Sequence, residues 1–238
     1  MAMRKRPRAA RIKMHVWAII LVGIFSLGMT GCGSPSHLPG PPPKKYPVPD
    51  DMQAVAAKAA DDSSRGDFKD AAAKYEAIAD KYPHCSYAWS RLGEAQFRQD
   101  RLHPARKAFV HALKLSADDP FTLAHLGMVD SALQRYDEAE RLLSKAVKID
   151  DDPEIENDLG SCYSQQGKHD EAVKRFQRAI ELFPKFGQAY YNLAEEQARF
   201  YPGQMEQARA NYQKALNLGV PRNSDLETLL AAKTRTSL

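Results

Sequence analysis

The chain has 238 residues, with 34 Lys and Arg against 30 Asp and Glu, a formal charge of +4 and three Cys. Six of the bases, Arg4, Lys5, Arg6, Arg8, Arg11 and Lys13, stand in the first 13 residues with no acid among them. Without them 28 basic residues face 30 acidic ones, a formal −2 with no basic block beyond ordinary helix surface, and this excludes a nucleic-acid partner.

After the basic head, Val16 to Met29 is a run of 14 uncharged residues rich in Ile, Leu, Val and Phe, followed by Thr30, Gly31 and Cys32. A basic head, a short apolar core and a small residue before a cut describe an export signal. The core is short for a spanning helix, which needs roughly 20 apolar residues. Met29-Thr30-Gly31-Cys32 resembles the bacterial lipobox, in which cleavage frees a Cys that is diacylated and then N-acylated. Gly31 and Cys32 match it, and Met29 departs from the usual Leu. An uncleaved anchor would also tether the rest of the chain, whereas a plain secretory peptide would leave Cys32 incidental. Two or three acyl chains give stable anchoring where one would not. Gly33 to Pro49 holds seven prolines, including Pro41-Pro42-Pro43, which favours extended polyproline II and a semi-rigid spacer.

From there the chain returns on itself. Gly93 and Gly127, Ala105 and Ala139, and Ala112 and Ala146 are each 34 residues apart. Ala71 precedes Ala105 by 34, which places a first unit at about Met52 to Cys85 with a degenerate first helix, Ala54 to Ala60. Gly160 follows Gly127 by 33, a loss assigned to the Asp150–Pro153 connection, since loops absorb length changes. Ala208 follows Ala172 by 36, with the two extra residues in the turn Phe200–Gln204. Small residues at Gly93, Gly127, Gly160 and Ala194, and at Ala71, Ala105, Ala139, Ala172 and Ala208, let paired helices approach. Leu92, Leu126, Leu159, Leu193, Phe109, Leu143, Phe176 and Tyr212 fill the space between units. A generic amphipathic bundle predicts an apolar stripe but not this return. The pattern is the signature of the tetratricopeptide repeat, a helix-turn-helix unit that buries its apolar face only by stacking on its neighbours. The expected fold is all-α: a superhelical solenoid of about five repeats plus a C-terminal capping helix. Residues 1–31 are read as a lipoprotein signal peptide and 32–50 as the lipidated Cys and Pro-rich linker. Residues 51–221 are the repeats, and 222–238 the capping helix and tail.

Helix starts are marked by Asp67, by Asp137-Glu138 and Asp170-Glu171 in first turns, and by Asp119-Pro120 and Asp152-Pro153. Ser224 and Glu227 read as a capping box for the last helix, whose Leu226, Leu229 and Leu230 would cover the open end of the fifth unit. Cys85 lies at a junction of units and its state is open; Cys162 reads as a core thiol.

No phosphate loop, H-E-x-x-H or G-x-S-x-G is present, and no Cys or His pair has metal-ligand spacing. His84, His103, His111, His125 and His169 are scattered over different repeat positions and read as surface or junction residues. The expectation is a binding protein without cofactor or metal, not an enzyme. In repeat families the second, fifth, ninth, twelfth and thirteenth positions of each unit tend to face the ligand. That resemblance implies Tyr87, Ser90, Glu94, Phe97 and Arg98 in the second unit, and Phe121, Ala124, Met128, Ser131 and Ala132 in the third. It implies Glu154, Asn157, Ser161, Ser164 and Gln165 in the fourth, and Gln188, Tyr191, Glu195, Ala198 and Arg199 in the fifth. Tyr87, Phe97, Phe121 and Tyr191 are the expected anchors, because interface hot spots favour aromatics. The apolar early half and polar later half would suit an extended or helical peptide with apolar anchors at one end. Asn157 and Asn192 match part of the carboxylate clamp of chaperone-binding members, but no Lys stands at the matching places, which disfavours chaperone tails.

Lipobox, linker and repeats in this order resemble the type IV pilus pilotin lipoproteins, which help a secretin subunit reach the outer membrane and form a ring. The resemblance covers the architecture of the whole chain and carries no diagnostic motif. It implies a secretin partner and a lipid-anchored place on the periplasmic face of the bacterial outer membrane, which Gly33 after the Cys also suits. The same layout occurs in adaptors of cell-wall synthesis and outer-membrane assembly complexes.

Overall fold

A computed structural model describes residues 48–232, the side chain of Ala232 excepted. Cys32, the expected signal peptide and all but the last residues of the expected linker lie outside them. The described residues form eleven α-helices and no strand. They are α1 Gln53–Arg65, α2 Phe68–Lys81, α3 Ser86–Arg98, α4 Leu102–Leu115, α5 Pro120–Ala132, α6 Tyr136–Ile149, α7 Pro153–Gln165, α8 His169–Leu182, α9 Gly187–Phe200, α10 Met205–Asn217 and α11 Ser224–Ala232. Each odd-numbered helix up to α9 packs on the even-numbered one after it, and each pair packs on the next. The first helix of unit one, expected only over its alanines, runs the full length of its counterparts. No helix among the described residues is long and apolar enough to cross a membrane.

One contact recurs in every central pair. A Cβ built on Gly93 would stand 2.8 Å from the Phe109 ring, on Gly127 2.7 Å from Leu143 Cγ, and on Gly160 2.7 Å from the Phe176 ring. The large side chain of the second helix thus occupies the space that a side chain on the first would need. Phe109, Leu143 and Phe176 are almost wholly buried there, beside fully buried alanines at 105, 139 and 172. In unit five Ala194 stands at the same place, opposite Tyr212, and both belong to one apolar cluster.

The turns inside the pairs repeat too. The residue between the paired helices takes a left-handed backbone in units one to four: Gly66 at φ 84°, Asp100 at 59°, Gln134 at 60° and Gly167 at 74°. Glycine adopts this conformation without steric cost, and a side chain there is strained. Unit five carries two extra residues and replaces the turn by a short 3-10 segment, Pro202–Gln204. The missing residue of unit four falls in the α6–α7 connection, Asp150 to Asp152, as the spacing required.

Asp119 and Asp152 cap their helices with Pro at the first turn. Asp119 accepts from the Thr122 N–H at 3.1 Å, and Asp152 from those of Glu154 and Ile155 at 2.8 and 3.3 Å. Asp67 does not cap α2, and its carboxylate meets Arg65 instead. The expected Ser224–Glu227 box is also corrected. Asn223 caps α11, its Oδ1 accepting from the N–H groups of Asp225 and Leu226, both at 3.0 Å. Glu227 is drawn away to the Tyr212 hydroxyl and Arg222. As expected, α11 closes the end of the stack, burying Leu226 and Leu230 against Ala194, Ala198, Ala208 and Tyr212. Cys85 and Cys162 are both buried and form no disulfide among the described residues.

Polar groups cross the unit boundaries beneath this apolar packing. Buried Asp130 accepts from Arg106 Nε at 2.7 Å and pairs with Arg135 at 3.2 Å. Buried Glu196 accepts from Ser164 Oγ and meets His169 Nδ1, both at 2.6 Å. A buried carboxylate left without such partners would be costly.

These contacts have two consequences for stability. Gly127→Ala gains helix propensity, about 1 kcal/mol, but forces Leu143 off its branch point, and overpacking costs about 1–3 kcal/mol. A net loss of about 1 kcal/mol in urea unfolding is expected. Gln134→Gly relieves the left-handed backbone at φ 60°. It is expected to stabilise by about 0.5–1 kcal/mol in the same measurement, despite the greater freedom of the unfolded chain.

Candidate functional site

At roughly 100° per residue, the helix rotation set by the eighth-position glycine decides which side chains face away from the partner helix. Counting from the first residue of α3, α5, α7 and α9, the second, sixth, ninth and thirteenth positions lie roughly 100–160° from the eighth. The fifth and twelfth lie within roughly 60° of it, on the packed flank. The structure follows this division except at Tyr87 and Arg91, which are outward by position but buried.

The fifth position turns into the neighbouring unit. Ser90 is buried and shares a hydrogen bond of 2.7 Å with Thr122 Oγ1 on α5. Asn157 is buried and accepts from Asn192 Nδ2 at 2.8 Å. The twelfth position does the same: Phe97 lies in the central apolar cluster and Ala198 is fully buried. Tyr87, although at the second position, is buried in the first cluster with its ring edge-on to Tyr75 at 6.2 Å. Tyr87, Ser90, Phe97 and Asn157 are therefore packing residues, which corrects their expected place on an open binding face.

The remaining expected residues stay at the surface of the stack. Glu94, Phe121, Met128, Ser161, Gln165, Tyr191 and Glu195 are half-buried, and Arg98 and Gln188 are exposed. Several are already engaged. The Tyr191 hydroxyl accepts from Asn223 at 2.9 Å, Glu195 pairs with Arg199 at 2.7 Å, and Ser161 bonds back to the Asn157 carbonyl at 3.0 Å. Gln188 donates to Asn192 Oδ1 at 2.9 Å. The Phe121 ring carries the Arg91 guanidinium 3.9 Å from its centre and stacks with His125, also at 3.9 Å. Of the four expected aromatic anchors, two pack inside and two are half-buried and already in contact with neighbours.

The sixth position was not among the expected residues, and the structure puts it in the middle of the wall. It supplies Arg91, His125, Asp158 and Asn192, one from each successive first helix. The spacing 2, 6, 9, 13 is an amphipathic stripe, and that pattern could have found it. Arg91 is buried yet charged, bonded to Glu94 at 3.0 Å and lying over Phe121. His125 Nδ1 lies 3.0 Å from the Phe121 carbonyl, which can only accept. In the neutral ring Nδ1 therefore carries the proton and Nε2 is left as an acceptor. Burial holds the imidazole neutral, lowering its pKa to about 4 although Glu94 opposes this. Burial works against ionisation of Glu94, but His125, Arg91 and Arg98 outweigh it and hold its carboxyl below the usual range. Asp158 is the opposite case. Burial and the like charge of Glu154 and Asp152, with only Arg98 opposing, push it up to about 8.

The wall is thus a mosaic: a cationic and aromatic portion on α3 and α5, an acidic one on α7, and an amide and ion-paired one on α9. Among the described residues no group of three His, Cys, Asp or Glu side chains is placed to hold a metal ion. The arrangement offers hydrogen-bonding and charged groups along a line, which suits binding an elongated partner segment.

Comparison with known proteins agrees with this architecture. The mitochondrial import receptor subunit TOM70 of Mus musculus is 27% identical over 110 residues, 45% of this chain and 18% of that protein, so the chain spans under a fifth of that relative. The solved structure of Pseudomonas aeruginosa pilF superposes with a TM-score of 0.69 at 18% identity, covering 78% of this chain and 83% of that one. YrrB, described as a tetratricopeptide-repeat protein with an unusual peptide-binding site, superposes with a TM-score of 0.57 at 24% identity, covering 78% and 94%. At these identities the likeness shows the fold. The family described as the cilia and flagella-associated protein 70 C-terminal domain matches residues 52–231, the whole repeat array and its cap, and the chain belongs to that family.

Proposed function

We propose that this protein is a protein-binding scaffold of the bacterial cell envelope. In this reading it is tethered by an acylated Cys32 and assists assembly of a type IV pilus secretin at the outer membrane. The observation that carries the binding role is the line of second, sixth, ninth and thirteenth side chains along one wall of the solenoid. All of that wall but Tyr87 and Arg91 stays exposed or half-buried, where the opposite flank of the same helices is sealed. A repeat solenoid presents such a wall rigidly, because each unit is held by its neighbours on both sides. The tether and the location rest on Met29-Thr30-Gly31-Cys32, Gly33 and the Pro-rich stretch to Pro49. The fold shared with Pseudomonas aeruginosa pilF accords with a pilus role, and the peptide-binding site in the description of YrrB accords with capture of a peptide segment.

The test is made in cells lacking this protein, with inner and outer membranes separated. The pilus secretin is expected to run as monomer rather than as a heat-resistant ring. Wild-type chain restores the ring and Cys32→Ser does not. An unchanged ring in the deficient cells removes the secretin from the proposal and leaves the adaptor role in a cell-wall synthesis or outer-membrane assembly complex.

A further inference from the structure

Two side chains of opposite type, a base and an acid, stand on the wall without an ion-pair partner among the described residues. Arg98, at the end of α3, is exposed; its guanidinium lies 6.0 Å from the centre of the Phe68 ring and forms no ion pair among the described residues. Asp158, in the middle of α7, is half-buried, and no donor among the described residues bonds to its carboxyl. The two belong to units two and four and lie on the same stripe of their helices, the thirteenth and sixth positions. Between α3 and α7 lies α5, whose Met128 and Ala132 are half-buried on the same stripe. The other charged groups facing Asp158 are Glu154 one turn earlier on α7 and Asp152 at its cap. Arg98 also acts on Glu94 and on His125.

We propose that this part of the wall takes a partner segment in which one apolar side chain lies between a cation and an anion, the apolar group over Met128 and Ala132, the cation against Asp158 and the anion against Arg98. The proposal rests on the peptide-binding role and adds which peptide. Complementary charge supplies specificity and register more than raw affinity. A half-buried carboxyl without a donor gains most from a charged one, because such bonds are short and strong. A segment of uniform charge would satisfy one of the two groups and repel the other. With Arg91 bonded to Glu94 at 3.0 Å, Arg98 is the remaining cation of α3.

Binding carries a protonic signature. With Asp158 protonated up to about 8 in the empty groove, a cation seated against it expels the proton. Affinity for such a segment therefore rises with pH, by up to about tenfold per unit, and levels off above the carboxyl's own pKa. Neutral His125, titrating near 4, contributes nothing to that slope at neutral pH.

The test uses the purified full chain and three blocked peptides built on one leucine: lysine on one side and glutamate on the other, glutamate on both, and lysine on both. Calorimetry at about pH 6 and about pH 8, in buffers of different ionisation enthalpy, gives affinity and protons released. The mixed peptide is expected to bind about tenfold tighter than either uniform one and to release a proton. Asp158→Asn abolishes the release and the pH slope while the thermal midpoint is kept or raised, since the amide replaces a carboxyl that is already neutral. Arg98→Glu shifts preference to the lysine-only peptide. Equal binding of all three, unchanged by Asp158→Asn but lost in Met128→Arg, overturns the charge assignment and leaves the groove reading in place. Equal binding that Met128→Arg does not touch overturns both. Binding of none of the three overturns the proposal, and the ring assay then decides the groove reading separately.

Discussion

In the three central helix pairs the eighth residue of the first helix lies hard against a large side chain of the second. Gly93 meets Phe109, Gly127 meets Leu143 and Gly160 meets Phe176, each at a distance that leaves no space for a Cβ. This contact sets the separation of the pair and also the rotation of the first helix about its axis. Once the eighth residue points inward, helical geometry sends the second, sixth, ninth and thirteenth outward. Repeated in unit after unit, one steric constraint produces both a sealed interior and an open wall. Unit five relaxes it, with Ala194 for Gly and Tyr212 for Phe or Leu, and unit five is also where the turn is remodelled and the cap docks.

Apolar packing alone would let neighbouring units slide, since alanines and leucines define no direction. The polar cross-links at the boundaries resist that slide. Ser90 with Thr122, Arg106 with Asp130, Asn157 with Asn192, and Ser164 and His169 with Glu196 each join one unit to the next with defined geometry. Their cost is that buried polar atoms must all be matched, and Asp130 Oδ2 is left without a hydrogen-bond partner. These links hold the wall, and with it the groups left unpaired there, Arg98 and Asp158 above all.

The repeat itself was legible because its signal is local and periodic. The spacing of Gly93, Gly127 and Gly160, the Asp-Pro starts of α5 and α7, and the extra residues at Phe200–Gln204 all report on structure within a few residues of themselves. The end cap was legible for its leucines but not for its capping residue. Asn223 was chosen over Ser224 because its amide also reaches the Tyr191 hydroxyl while its backbone N–H donates to Tyr212, contacts from helices far away in sequence. The candidate site was legible only in part. Residue type suggested Tyr87 and Phe97 as anchors, and both were drawn into the interior by neighbours that fill the same space.

The sequence by itself determined the helical pairs, their number and the positions of their close contacts, because a steric fit between a glycine and a ring is written in two residue types at a set spacing. Only the tertiary structure decided which charges are spent and which remain. Arg91 is consumed by Glu94 and Phe121, and Glu196 by Ser164 and His169, while Arg98 and Asp158 are in no ion pair among the described residues. That outcome depends on how the stacked units curve, and curvature is the sum of small rotations at every interface, which no single pair of residues encodes.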